Sequence, residues 1–344
     1  MEKIAWIAGG TFVYRSSLLL VLGIVCAICM FLALYLGTGR DPLPAILAVP
    51  LGLILSLILA RLVHWYCRGD SYPSFAAAML RYGRGGFALA GAFGGCLLAA
   101  WLLKAVKLEK NLPAMLDCMS IAGCLGIAVG RLGSMFNASD RGQLLSGPFS
   151  SPVINAVTGA REQRLATFLL QSAAAAVLFA GLLIYYSRKG KQRRDGDACL
   201  IFLLCYGASQ VVLDSTRYDS LFLRSNGFVS AVQILGAAAL VLTAAVFLTR
   251  AVRTRGPGWL AAVPMLLMLL AGAGYMEYYV QRRGDQAAFA YTVMSLCLGA
   301  YVLGVLALGS LSVRGRNIRG ISVKTKETPG KATGSVDKLP ERDV

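Results

Sequence analysis

Ionisable side chains interrupt long apolar stretches of this sequence, and six of them stand out as the residues best placed to do chemistry there. They are Arg61, His64, Asp117, Arg131, Asp214 and Arg217. A charged residue at the centre of a membrane-inserted helix costs about 2.5–3.5 kcal/mol, so such residues normally face the interior of a helix bundle and mark a site. Arginines at the depth of lipid headgroups bind phosphate through charge-assisted hydrogen bonds. This set therefore indicates a site for an anionic headgroup.

The segment GRLGSMFNASDRGQ (130–143) places further polar groups directly after Arg131. Its glycines allow other groups to approach closely, and Asn137 and Asp140 follow in a polar turn. The arrangement suits an arginine that binds a lipid phosphate. A simpler interpretation stays open, in which Arg131 gains about 0.3–1 kcal/mol from the dipole at its helix C-terminus and snorkels to the interface.

A polar stripe is predicted on the sixth apolar stretch. Tyr206, Gln210, Asp214 and Arg217 are spaced four, four and three residues apart, so they lie on one side of a helix. Such a stripe should turn away from lipid. It either lines a polar cavity or forms an Asp214–Arg217 pair and interhelical hydrogen bonds that hold the bundle together.

The elements that position these residues follow from composition. Of 344 residues, 57% are hydrophobic and only 15% are charged, against roughly 25% charged in soluble domains. The apolar residues come in blocks near the ~20 residues that cross a bilayer, and lipid offers the backbone no hydrogen-bond partner. The sequence therefore predicts an all-α polytopic membrane bundle of about nine transmembrane helices. The predicted spans are 16–37, 45–66, 86–103, 113–136, 165–186, 198–216, 229–249, 258–279 and 287–312.

Basic residues predict the orientation of the bundle. Alternate connections carry the runs 104–110, 187–194 and 250–255, and the tail is basic as well. By the positive-inside rule this set is cytoplasmic, which puts the N-terminus outside and the C-terminus inside. The net charge of +17 then reflects topology, so no nucleic-acid partner is expected.

The same topology brings five of the six ionisable residues to the outer face. Asp117 is the exception, because it lies about 21 Å below Arg131 at ~1.5 Å of helix rise per residue. The first 15 residues precede an apolar stretch that is long enough to span and lacks a clear cleavage site, so we expect no cleaved signal peptide.

Cysteine usage and the tail complete the outline. Most of the nine cysteines lie in spans, and the CxxC at Cys26 and Cys29 has no second pair or histidine nearby, so we expect no metal, cofactor or disulfide framework. The predicted organisation is a seven-helix domain at 1–250, two further helices at 251–312 and a disordered basic cytoplasmic tail at 313–344.

The segment GRLGSMFNASDRG resembles the signature of the prolipoprotein diacylglyceryl transferase family, which runs Gly-Arg-X-Gly-Asn-Phe-X-Asn-X-Glu-X-X-Gly. The residues in register are Gly130, Arg131, Gly133, Asn137 and Gly142. Other family motifs follow in order. They are matched by Arg61 in ILARLVHWY, GGFALAGAFGG (85–95), Asp117, RLATFLLQ (164–171), YGASQVVLDSTRYD (206–219) and AVQIL (231–235). The resemblance covers about residues 16–250, and the last two spans are additional to it.

The resemblance implies a transfer reaction at the outer leaflet of the bacterial cytoplasmic membrane. Diacylglycerol would pass from phosphatidylglycerol, or a similar anionic phospholipid, to the thiol of a lipobox cysteine in a secreted preprotein. It implies catalytic roles for Arg131, Asp214 and Tyr206, and we expect Asp140 and His64 to be catalytic in place of family residues that this chain lacks. It implies substrate-binding roles for Arg61, Ser134, Asn137, Gly142, Gln210 and Arg217. The phosphate leaving group needs cationic stabilisation, and the acceptor thiol needs activation.

The sequence departs from the family pattern at several polar positions. Ala90 stands at the family's histidine and Gln210 at an arginine, while Ser134 and Ser139 replace an asparagine and a glutamate. Loss of one cation near the phosphate can cost a factor of about 10² or more in rate. Asp140, one step from Ser139, and His64, the chain's one histidine, can act as replacements, although His64 also suits an interfacial aromatic belt.

Three classes of function stay open on the sequence. The first is an active transferase, and the second is an inactive relative that binds phospholipid or lipoprotein segments. A small-solute transporter is favoured least, because its site would lie near the bilayer midplane and the chain shows no internal repeat.

Overall fold

The computed structural model describes residues 4–8, 11–80, 86–145, 147, 149–154, 158–188, 193–224, 226–283 and 286–326. Ten α-helices contain most of these described residues. They are α1 Arg15–Leu36, α2 Leu43–Cys67, α3 Phe75–Leu80, α4 Leu89–Ala105, α5 Leu112–Arg131, α6 Thr167–Arg188, α7 Asp197–Ser215, α8 Ala231–Arg255, α9 Ala262–Arg282 and α10 Ala287–Lys326.

Eight helices among the described residues are long and apolar enough to cross a membrane. The predicted all-α polytopic bundle is thus confirmed. The number of spanning helices differs from the prediction because of the third predicted span, 86–103. This span forms α4, an apolar helix of only 17 residues. At ~1.5 Å per residue α4 spans about 25 Å, short of a ~30 Å hydrocarbon core.

Helix α4 is held tightly against α2 by small residues. A Cβ added at Gly95 would lie 2.3 Å from the backbone of Ser56, so only glycine allows this approach. The Ser56 hydroxyl donates a hydrogen bond to the Ala92 carbonyl at 2.8 Å across the same contact. The short helix is therefore fixed by its neighbour rather than by its own length.

Connections between helices meet at two ends of the bundle. At one end Asp195 binds Arg40 at 3.2 Å and the Asn111 amide at 2.5 Å. At the other, Arg68 donates to the Asp219 carbonyl at 3.5 Å, and Gly142 forms a β-bridge with Arg217. Alternate connections therefore share an end, as the predicted topology requires.

In the described ranges three antiparallel hairpins accompany the helices. They are β1 Ile4–Ala8 with β2 Thr11–Tyr14, β3 Ser150–Ile154 with β4 Arg161–Leu165, and β5 Phe222–Leu223 with β6 Asn226–Ser230. The second and third lie in the α5–α6 and α7–α8 connections. They therefore belong to the end where Gly142 and Arg217 meet.

Helices α9 and α10 pack on α7 and α8 rather than standing apart. Leu204, Leu240, Leu266 and Met294, one from each helix, belong to one buried apolar cluster. Helix α10 continues to Lys326, so the first part of the tail predicted as disordered is helical, and 327–344 lie outside the described residues. The predicted division of the chain at residue 250 stays a prediction.

Candidate functional site

One carboxylate gathers two arginines at the end of the bundle where Gly142 meets Arg217. Asp140 Oδ1 lies 2.5 Å from Arg131 Nη1 and 2.8 Å from Arg217 Nη2. The Ser134 hydroxyl donates to Asp140 Oδ2 at 2.7 Å. These four residues, predicted separately from two segments of the sequence, form one cluster with buried Asp140 and Ser134 and half-buried arginines, which we call the Asp140 centre.

Arg217 is held by two further carboxylates. Its Nη1 lies 3.3 Å from Asp214 Oδ1, and its Nε lies 3.0 Å from Asp219 Oδ1. Asp214 is itself fixed by the Ser230 hydroxyl, which donates to Oδ2 from the capping box at the start of α8. The intrahelical Asp214–Arg217 pair that the sequence left open is therefore present, and it is part of the centre.

The chain after α5 folds so that Asp140 points inward. Asp140 adopts a left-handed backbone conformation with φ 57°, and its N–H donates to Asp219 Oδ2 at 3.0 Å. Gly142 donates its N–H to the Leu165 carbonyl at 2.8 Å, and a Cβ at Gly142 would lie 2.7 Å from Thr167 Oγ1. Only glycine fits this position, which fixes the register of the segment.

Asn137 stabilises the turn, and within the described part of the chain its side-chain and carbonyl hydrogen bonds join it to Ser139 and Arg141. Its Oδ1 accepts hydrogen bonds from the Ser139 N–H at 3.0 Å and from the Ser139 hydroxyl at 2.5 Å. Its carbonyl accepts a bond from Arg141 Nη2 at 3.2 Å. The predicted substrate-binding role of Asn137 stays a prediction.

Arg141 is a buried cation to which the sequence analysis assigned no role. It is 2% exposed and lies over the Phe168 ring, with its guanidinium carbon 4.5 Å from the ring centroid. Its Nη2 donates to the Ser134 carbonyl at 3.3 Å, while Nε and Nη1 are buried with no hydrogen-bond partner among the described residues. In the sequence, only its place in the 130–143 segment indicated that Arg141 could belong to the site.

Charge balance controls the protonation of the centre. Burial alone would raise the pKa of the Asp140 carboxyl, but Arg131 and Arg217 outweigh burial and lower it to about 2. For Arg217, burial lowers the pKa, yet Asp140, Asp219 and Asp214 together raise it above its ordinary value. Asp140 is therefore a carboxylate at neutral pH and a weak base.

Tyr206 and Gln210 continue the stripe on α7 away from the centre. Tyr206 stacks on Phe202 with ring centroids 5.1 Å apart. Gln210 Oε1 accepts a hydrogen bond from Gln171 Nε2 at 3.2 Å, and both side chains are buried. The stripe therefore includes an interhelical hydrogen bond as well as the groups of the Asp140 centre.

Arg61 and His64 form a second cluster at the same end. Arg61 donates to the Gly86 carbonyl at 2.9 Å and lies 5.0 Å from the Tyr72 ring centroid. The Tyr72 hydroxyl lies 3.0 Å from His64 Nδ1. Ala90 follows in the first turn of α4, whereas part of the glycine-rich motif, Gly85, lies outside the described residues. Arg68, just beyond α2, links this cluster to Asp219.

Asp117 lies apart at the opposite end. It accepts hydrogen bonds from the N–H groups of Gly196 and Cys199, both at 2.8 Å, and Arg193 lies 3.3 Å away. It therefore caps the N-terminus of α7, because its carboxylate accepts hydrogen bonds from free N–H groups there. Within the described ranges no group of three metal-ligating side chains occurs, and all nine cysteines are free.

The fold and the Asp140 centre define a polytopic membrane protein with a buried arginine–carboxylate site at one end of its bundle. The model of the prolipoprotein diacylglyceryl transferase family matches residues 3–249. The chain therefore belongs to this family, as the sequence motifs predicted. Helices α9 and α10 lie beyond the match.

Curated relatives carry the same name. The phosphatidylglycerol–prolipoprotein diacylglyceryl transferase of Finegoldia magna is 24% identical over 229 residues, 65% of this chain and 86% of the relative. That of Clostridioides difficile is 24% identical over 240 residues, 69% and 91% of the two chains. That of Thermotoga maritima is 29% identical over 198 residues, 56% and 65%. These names agree with the transferase class predicted from the sequence.

Proposed function

We propose that this chain transfers diacylglycerol from phosphatidylglycerol to the cysteine thiol of a lipobox in prolipoproteins. The observation that carries the proposal is the pairing of Arg131 and Arg217 on Asp140, within the segment that matches the family signature. Two cations held at one point suit a phosphate, which gains charge when its ester bond breaks.

The reaction forms one C–S bond and breaks one C–O bond and one S–H bond, and the thiol proton passes to a base. The acceptor sulfur loses its proton and forms a C–S bond to the glycerol carbon of diacylglycerol. The C–O bond to phosphate breaks, and its electron pair leaves with glycerol phosphate. Positive charge close to the leaving oxygen lowers the barrier of this step.

Arg131 is the guanidinium that we assign to the phosphate. Its ion pair with Asp140 uses one nitrogen, Nη1, whereas Arg217 binds carboxylates through all three of its nitrogens. A guanidinium carries five N–H donors, so Arg131 keeps donors for a second anion. Asp140 positions both arginines in this scheme, and its low pKa argues against a role as the base.

The acceptor thiol has an ordinary pKa near 8.5 and needs a base or a positive field. His64 stays our candidate base, because its ring lies at the same end of the bundle and is held by Tyr72. We assign the remaining predicted site residues to shaping and lining the site. They are Tyr206, Asp214, Gln210, Arg61, Ser134, Asn137 and Gly142.

We place the chain in the bacterial cytoplasmic membrane with the Asp140 centre toward the outer leaflet, the N-terminus outside and the C-terminus inside. The distribution of basic connections supports this orientation. Nucleic acid, metal and cofactor have no part in the proposal. In this proposal the predicted domain at 1–250 carries out the reaction.

Rescue of bacteria depleted of their own transferase tests the function. The wild-type chain should restore lipid modification of a reporter preprotein, Arg131→Ala should not, and Arg253→Ala, an exposed arginine at the far end of α8, should behave as wild type. Membrane insertion of each variant is checked by its abundance in the membrane fraction.

Failure of the inserted wild-type chain to modify the reporter would contradict the proposal. The neutral Gln210–Gln171 pair, where the family has an arginine, favours the inactive lipid-binding relative as the second candidate. Binding of phosphatidylglycerol by the purified protein, lost in Arg131→Ala and without turnover, would assign that role instead.

A further inference from the structure

Helices α9 and α10 lie outside the family match yet reach the Asp140 centre. The Tyr291 hydroxyl on α10 accepts a hydrogen bond from Gln143 Nε2 at 2.9 Å and donates to the Ser215 carbonyl at 3.2 Å. Gln143 ends the 130–143 segment, and Ser215 ends α7. The added helices therefore contact both chain segments that build the site, the one ending at Gln143 and the end of α7.

A cavity of about 170 Å³ lies at this junction. Its lining includes Asp214, Ser215 and Arg217 from one side and Glu277 and Gln281 of α9 from the other. One water needs only ~10–15 Å³ of such space, so the cavity has room for a polar group of several non-hydrogen atoms. The family-like part and the added helices therefore share a polar chamber directly beside the centre.

Two buried polar atoms in this chamber are unpaired. Glu277 is 8% exposed, and its Oε1 accepts from Gln281 Nε2 at 2.9 Å, whereas Oε2 is buried without a hydrogen-bond partner. The Ser215 hydroxyl is also buried and has no hydrogen bond of good geometry among the described residues, although the Tyr291 hydroxyl lies near it. An acidic residue inside a membrane helix and an unsatisfied buried acceptor are both costly, so such groups usually have a ligand.

The charges select the kind of ligand. Arg217 is already paired with three carboxylates, and Glu277 adds a fourth acid close by, so a second anion is disfavoured. A hydroxyl group donates to a carboxylate oxygen and accepts from a serine hydroxyl at the same time, whereas an ammonium group only donates. Polyol hydroxyls complement both unpaired atoms.

An apolar groove lies on the same seam, so lipid can approach the chamber from the bilayer. The groove, of about 480 Å³, runs between α7 and α10 past Cys205, Val212, Leu213, Leu298 and Val302. Leu213 in the groove lies two residues before Ser215 in the chamber. From Cys205 to Leu213 the groove follows about 12 Å of helix, enough for part of an acyl chain.

We propose that α9 and α10 complete a polyol subsite, in which Glu277 and Ser215 bind the hydroxyl groups of the donor lipid's headgroup while its phosphate lies at Arg131. The assignment rests on the proposed function. It makes the added helix pair a determinant of donor specificity in this chain.

Lipid competition on the full-length protein in nanodiscs tests the subsite. Binding and transfer are measured with phosphatidylglycerol, with phosphatidylmethanol, which keeps the phosphodiester and lacks the hydroxyls, and with phosphatidylethanolamine. Wild type should prefer phosphatidylglycerol to phosphatidylmethanol, and Glu277→Leu should lower that preference about tenfold through KM. Soluble glycerol should not compete at concentrations where the lipid does.

Variants separate the subsite from folding. Glu277→Gln keeps the side-chain volume and should show a smaller loss of the same preference, as should Ser215→Ala. Asp70→Asn, a carboxylate-to-amide change at a fully exposed position, should leave the preference unchanged. Thermal unfolding of each variant reports whether it folds. If Glu277→Leu does not fold, Glu277→Gln is used to test the subsite.

Equal affinity of wild type for the phosphatidylglycerol and phosphatidylmethanol arms would overturn the subsite and leave water as its occupant. Preference for phosphatidylethanolamine would overturn it in favour of an ammonium site, and equal competition by glycerol would overturn the lipid assignment. Because binding is measured independently of transfer, absence of turnover would contradict the proposed function while the lipid preference still decides the subsite.

Discussion

Two buried clusters at opposite ends of the bundle use the same residue types for different purposes. At one end Asp117 is surrounded by two backbone N–H groups and Arg193, and it closes the N-terminus of α7. At the other, Asp140 pairs with two arginines from α5 and the end of α7. The first carboxylate is satisfied within the fold, whereas the second gathers positive charge beside a chamber. Burial and ion pairing alone therefore do not identify a site.

The largest expected effect is on stability at the Asp117 end. Asp117→Ala leaves Arg193 and two N–H groups unpaired, and breaking a buried ion pair costs about 3–5 kcal/mol. Thermal unfolding in detergent should show this loss, while transfer activity per folded molecule stays near wild type. A folded Asp117→Ala protein with normal stability and no activity would reverse the roles of the two clusters.

The next effect is on turnover at the Asp140 centre. Arg131→Ala should lower kcat/KM about 10²–10³-fold, because it removes a donor to the leaving phosphate. Its unfolding temperature should change less than that of Asp117→Ala. Arg253→Ala serves as the matched control in the same assay, and equal kinetics for the two arginine variants would remove Arg131 from the mechanism.

A pH effect of about 2 kcal/mol is expected from Asp140. Its folded pKa of about 2 lies below the ordinary 3.8, so its contribution to stability is present above pH 4 and is lost as the pH falls toward 2. Unfolding measured between pH 5 and pH 2 should show this loss in wild type and not in Asp140→Asn. A pH–rate profile that follows Asp140 above pH 5 would contradict its assignment as a carboxylate without a base role.

The smallest effect concerns the register of the signature segment. Gly142→Ala places a methyl group 2.7 Å from Thr167 Oγ1, and such overpacking typically costs about 1–3 kcal/mol. Transfer activity should fall with it, because Gly142 pairs with Arg217. Gly147→Ala, with open space around it, is the control, and equal stability of the two variants would show that the segment adapts.

The candidate site was predicted in part. Tyr206, Gln210, Asp214 and Arg217 were placed on one face of a helix because helical periodicity is local. Asp219 is the last residue of the 206–219 motif, which was recognised in the sequence. Its pairing with Arg217 and with the Asp140 N–H, however, depends on how two loops meet. Arg61 and His64 share the correct end of the bundle but have their own partners, since a common depth does not fix which helices are neighbours.

The sequence by itself determined that this chain is a helical membrane protein of the diacylglyceryl transferase family. Apolar block length, alternating basic connections and an ordered set of motifs are all read along the chain. Only the tertiary structure decided that Asp140 joins Arg131 to Arg217, that Arg141 is buried, and that Glu277 of an added helix lines the chamber beside them. Periodicity specifies which face of a helix is polar, whereas the partner of that face depends on packing between helices distant in the chain.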